Sequence, residues 1–114
     1  MGQIDLSHYK NIYLQTAREY VNSMFLSCDK LTNNVSDREA INKVHISSHS
    51  LKSQSQVMGF TNIAAISTNI EKTSNDILNG VSQIDNAFLV LLKNSVDELN
   101  LELAQIEKGN AETV

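Results

Sequence analysis

The chain has 114 residues, 41% of them hydrophobic, with a net charge of −4, one cysteine, four glycines and no proline. That length suits one domain able to bury a core without staples, and Cys28 alone excludes disulfide frameworks and cysteine-rich zinc sites. The acidic balance offers nothing to nucleic acid, no apolar run approaches the ~20 residues that span a bilayer, and the polar start MGQIDLSHYK lacks a signal-peptide core. The chain therefore reads as cytosolic.

Few glycines and no proline leave too few turn residues for a sandwich, so the expected fold is all-α. A first helix is predicted from Asp5 or Ser7 to Leu31, with Tyr13, Ala17, Tyr20, Met24, Cys28 and Leu31 at three-four spacing. Cys28 reads as buried filler on that stripe, and His8 as part of a cap or tail. Thr32-Asn33-Asn34 breaks the helix. Ser36-Asp37-Arg38-Glu39 opens the second with a capping-box pattern, Ser36 and Glu39 serving each other's backbone donors, and Gly59 ends it after Val57 or Met58. The third is predicted from Thr61 or Asn62 to Leu78, with Ile63, Ile66, Ile70 and Ile77 inward and Asn79-Gly80 as its stop. The fourth runs from near Asp85 to Lys108 on a stripe of Phe88, Leu91, Leu92, Leu99, Leu103 and Ile106. Short links between long amphipathic helices predict an antiparallel up-down four-helix bundle, one domain over 1–114 with its core in about 7–108. The apolar fourth helix also admits pairing of two chains; packing against its own bundle is the more economical account, and a monomer is expected.

Residues 45–59, HISSHSLKSQSQVMG, are the unusual stretch, a helix with five serines and little oil. Its inward row is Ile41, Val44, Ser48, Leu51, Ser55 and Met58. At 3.6 residues per turn His49 lies roughly 120° from the centre of that row and faces solvent, with His45, Lys52, Ser53 and Gln56 around it. If the second and third helices turn back on each other near Phe60, positions whose numbers sum to about 120 lie level. Glu71 then stands opposite His49, and Thr68 opposite Lys52. A carboxylate beside an imidazole accepts the Nδ1 proton and leaves the Nε2 lone pair facing outward, a nucleophile for phosphoryl groups. Lys52 can balance phosphate charge. No glycine-rich nucleotide loop and no acidic metal cluster accompany this grouping.

The string His49-Ser50-Leu51-Lys52-Ser53, with Gly59-Phe60 ten and eleven residues after the histidine, resembles the histidine-phosphotransfer (HPt) domains, above all the phosphoacceptor domains of CheA-type chemotaxis kinases. Tyr13 to Tyr20 is similar to their first helix, and Glu71 falls where the family has the glutamate that orients the histidine. The resemblance implies that His49 accepts a phosphoryl group from the ATP-binding domain of a histidine kinase and passes it to an aspartate of a response-regulator receiver domain. Small and polar neighbours would form the docking surface, among them His45, Ser53, Gln56 and Thr68. ATP and Mg²⁺ would belong to the partner domains, leaving no cofactor, metal, nucleic acid or membrane for this one. Two features depart from the family. Ser53, Gln54 and Gln56 stand where it has glycine and small residues, and Thr68 stands where CheA-type domains often have a second histidine. These departures bear on rate and partner choice, and they leave open a docking-only module. His45 and His49, four residues apart, also have the spacing of two metal ligands, with Glu71 as a third.

Overall fold

The computed structural model describes residues 6–110 and 112, and four helices account for nearly all of them: α1 (Leu6–Asn33), α2 (Arg38–Met58), α3 (Thr61–Leu78) and α4 (Asn86–Glu107). No strand occurs among the described residues. Each helix packs on its neighbours around a square, α1 on α2 and α4, α3 on α2 and α4, which is the antiparallel up-down bundle expected from the short links. No described helix is long and apolar enough to cross a membrane.

The links show why the helices stop where they do. After α1 the Asn34 side chain accepts the Ser36 amide at 3.0 Å, an Asx turn that holds Ser36 one residue ahead of the cap. Asp37 (φ −73°, ψ 91°) is therefore the N-cap of α2, its carboxylate accepting from the Ala40 amide at 3.0 Å. The expected Ser36–Glu39 capping box does not form; Glu39 instead faces Lys43 one turn on, at 3.5 Å. At the other end of α2, Gly59 takes the left-handed conformation (φ 79°). The Gly59 and Phe60 amides close back onto the carbonyls of Gln56 and Ser55. α4 begins as expected, with Asp85 capping the Phe88 amide at 2.8 Å. His8 lies inside α1 and not in a tail; the expected start at Asp5 lies outside the described residues, and α1 runs on to Asn33.

The core is one cluster drawn from all four helices, including Met24, Leu31, Ile41, Leu51, Ile63, Ile70, Leu92, Leu99 and Leu103. Each fully buried side chain of this size stabilises the fold by about 1.5–3 kcal/mol. The stripes were close but not complete. Leu14, Val21 and Val96 join the core, while Tyr20, Cys28, Met58, Ile66 and Leu91 are only half-buried. Cys28 therefore sits at the α1–α4 seam, its thiol directed at the Leu89 carbonyl at 4.0 Å, and burial pushes that thiol's pKa up.

The serine-rich α2 packs because its serines are used. Ser47, Ser48 and Ser55 are buried there, and Ser67 and Ser74 are buried on α3. Small side chains let the helix backbones approach while Leu51 and Val44 supply apolar area. The Tyr13 hydroxyl bonds Ser55 Oγ at 2.7 Å, and its ring packs on Phe60 with centroids 5.0 Å apart. Burial is the main cause of a Tyr13 pKa pushed up to about 12.

Candidate functional site

The site is assembled by the α2–α3 hairpin. With Gly59 and Phe60 as the whole link, residues whose numbers sum to about 120 do lie level. His49 stands on the outer side of α2, its side chain 58% exposed, while the Glu71 and Lys52 side chains are 17% and 23% exposed. Glu71 Oε2 pairs with His49 Nδ1, and Lys52 Nζ donates to the other oxygen, Oε1, at 2.6 Å. One carboxylate thus holds both side chains of α2 from across the hairpin.

This geometry has a direct electrostatic consequence. Burial acts to raise the Glu71 carboxyl pKa, but the hydrogen bonds and charges of Lys52 and His49 outweigh it and hold the carboxyl below its ordinary value. Glu71 is ionised and acts as acceptor only, so His49 Nδ1 carries the proton and, in the neutral ring, Nε2 keeps its lone pair. The His49 side chain is more exposed than buried, so the ring is open to a reacting group. Lys52 spends one donor on Glu71, and its ammonium retains two more.

The other candidates are placed as follows. His45 is half-buried one turn before His49, its Nδ1 facing Ser74 Oγ at 3.5 Å. Among the described residues no three His, Cys, Asp or Glu side chains come together to hold a metal, so the arrangement of His45, His49 and Glu71 as ligands is not formed. Geometry explains this, because His45 turns toward Ser74 and Glu71 is already shared between His49 and Lys52. Thr68 is exposed at the level of Lys52, but its hydroxyl donates back to the Ala64 carbonyl at 2.7 Å. Ser53 and Gln56 are exposed beside His49; Gln54 turns away to Tyr20, donating to its hydroxyl at 3.2 Å. Ser53 also lines a shallow groove between α1 and α2 with Tyr9, Ile12 and Val57, all exposed apolar side chains.

Ser74 lies outside the set of residues that the sequence pattern points to. It is fully buried, donates to the Glu71 carbonyl at 3.0 Å and meets His45, so it ties the two helices just below the site. Its number and that of His45 sum to 119, the same register that pairs His49 with Glu71, and that was the signal available for it.

Comparison with known proteins shows the family and the fold. The family model described as "Hpt domain" matches residues 8–109. The chain is 22% identical over 106 residues to the chemotaxis protein CheA of Bacillus subtilis, a match that covers 93% of this chain and 16% of that protein. The chain therefore spans about one sixth of the length of that relative. Among solved structures it superposes on the CheA phosphotransferase domain from Thermotoga maritima with a TM-score of 0.82 and 23% identity, covering 87% of this chain and 94% of that one.

Proposed function

The chain belongs to the Hpt domain family, and on that premise we propose that it works as a phosphoacceptor and phosphotransfer module of a two-component relay. The observation that carries the proposal is the exposed His49 whose Nδ1 is held by Glu71, itself held by Lys52. In the proposed first step the Nε2 lone pair attacks the γ-phosphorus of ATP presented by a histidine-kinase ATP-binding domain. An N–P bond forms, the bond to the bridging oxygen breaks, and ADP leaves. In the second step a receiver-domain aspartate oxygen attacks the same phosphorus and the N–P bond breaks, returning the electron pair to Nε2. ATP and Mg²⁺ belong to the partner domains in this reading, and the setting is the cytosol.

What this chain contributes is position and charge, which dominate phosphoryl transfer. Glu71 keeps the nucleophilic nitrogen unprotonated and stabilises the positive ring that develops as the N–P bond forms. Lys52, with donors left over, offsets the negative charge of the incoming phosphoryl oxygens. The exposure of His49 leaves a path for in-line approach by a folded partner. His45, Ser53, Gln56 and Thr68 form the rim on which that partner rests. By kinship with the CheA proteins the relay is a chemotaxis pathway.

The test is incubation with a cognate ATP-binding domain and γ-labelled ATP, followed by addition of the receiver. The proposal expects acid-labile label on the wild type, its loss to the receiver, and none on His49→Gln. Label persisting in His49→Gln would sink the assignment. A second reading is favoured by the exposed Gln56 on the His49 face, a longer side chain than the family resemblance implies there: a module that docks a partner without efficient transfer. That reading expects equal partner binding by wild type and His49→Ala, with no acid-labile phosphate on either.

A further inference from the structure

Four backbone amides open α3, and their partners can be followed one by one. The Thr61 amide donates to the Gly59 carbonyl at 3.1 Å and the Ala64 amide to the Phe60 carbonyl at 3.0 Å. Phe60 occupies the N-cap position (φ −86°, ψ 80°) and has no side-chain acceptor to offer. α2 and α4 solve the same problem locally, with Asp37 and Asp85. In α3 the two remaining amides go to Glu112, fifty residues along the chain: Asn62 donates to Oε1 at 3.1 Å and Ile63 to Oε2 at 2.6 Å. These are the two donors that a cap side chain ordinarily satisfies, and a carboxylate adds a favourable charge at the positive end of the helix dipole.

The path of the chain after α4 is consistent with this role. Gly109 adopts φ 88°, and the Asn110 amide closes back on the Gln105 carbonyl at 2.9 Å, so the helix ends in a turn that redirects the chain. Asn110 Nδ2 also donates to Gln105 Oε1 at 2.7 Å, fixing that turn from the side chain. The carboxylate then meets α3 beside the Gly59–Phe60 link, the end of the hairpin that carries His49 and Glu71. Along α2 that link lies about 15 Å from His49.

We propose that Glu112 is a detachable N-cap of α3, a strap that fastens the segment following α4 to the α2–α3 turn and loosens the first turn of α3 when it is withdrawn. Movement of that segment is thereby coupled to the helix bearing Glu71. The inference rests on the capping geometry alone and stands whether or not His49 is phosphorylated.

Amide hydrogen exchange followed by NMR on the 114-residue chain tests it. In Glu112→Ala the Asn62 and Ile63 amides should exchange about fivefold faster, as loss of a typical cap would produce. Amides in the middle of α2, from His45 to Leu51, should be unchanged. Glu112→Gln, which keeps one neutral acceptor, should give a smaller acceleration at the same two positions. A chain ending at Asn110 should match Glu112→Ala. Unchanged exchange at Asn62 and Ile63 in Glu112→Ala would overturn the proposal, as would an equal acceleration across all four helices.

Discussion

Replacing Glu71 by alanine should slow phosphorylation of His49 while leaving the bundle folded. The carboxylate makes two charge-assisted contacts, one to His49 Nδ1 and one to Lys52 Nζ at 2.6 Å. Such bonds contribute about 1.5–3 kcal/mol when shielded from water. The His49 side chain is 58% exposed, so solvent competes and brings the contribution to the bottom of that range or somewhat below it. Losing about 1–2 kcal/mol of preference for the Nδ1–H tautomer and of stabilisation of the developing imidazolium predicts a rate lower by about five- to thirtyfold. Glu71→Gln retains an acceptor without the charge and should fall between. The assay is single-turnover phosphorylation by the cognate ATP-binding domain, with the His49 tautomer read in parallel from ring ¹⁵N shifts. A Glu71→Ala protein with unchanged rate and unchanged tautomer would refute the reasoning and remove Glu71 from the mechanism. The acid side follows from the lowered Glu71 pKa. A depressed carboxyl adds stability that is complete above its unfolded value and lost as pH falls through the folded one, so wild type and Glu71→Ala should converge in stability in acid.

Lys52→Ala should also reduce the rate of phosphoryl transfer, because it removes a cation near the phosphoryl group and frees one Glu71 oxygen; circular dichroism should show little loss of helix. Tyr13→Phe leaves Ser55 Oγ buried without its 2.7 Å partner and should lower unfolding free energy in urea by about 1–3 kcal/mol. Because the Tyr13 pKa is pushed up to about 12, its contribution is full below the ordinary tyrosine value near 10 and is lost as pH rises toward 12. The Phe variant should therefore show a shallower alkaline decline. Asp37→Ala should cost about 1 kcal/mol as a lost N-cap, whereas Ser36→Ala should be nearly neutral.

How much of this could be read from the residues depends on how local each feature is. The orientation of His49 follows from 3.6 residues per turn and a well-marked apolar row, both properties of one helix. Its pairing with Glu71 needed one further element, the two-residue link at Gly59–Phe60, which sets the register of the hairpin. Lys52 was legible as a neighbour of His49 but not as a partner of Glu71, because a flexible four-carbon stem chooses among several acceptors. The cap of α2 was misplaced by one residue since Ser36, Asp37 and Asn34 can all accept; the Asx turn at Asn34 decides it. Contacts across the bundle were not legible at all. The bond of Tyr13 to Ser55 and the reach of Glu112 to α3 depend on which helix faces meet, and no local pattern encodes that. The serines of α2 looked like a deficit of packing because composition counts apolar area and not how closely two backbones approach.

The central claim is that His49 acts through the nitrogen that Glu71 leaves unprotonated. Phosphorylating ¹⁵N-histidine-labelled protein with the cognate ATP-binding domain and observing which ring nitrogen is bonded to phosphorus tests it most directly. The account predicts a single phosphohistidine, at His49, with phosphorus on Nε2. Phosphorus on Nδ1 of His49, or on any other residue, would contradict it.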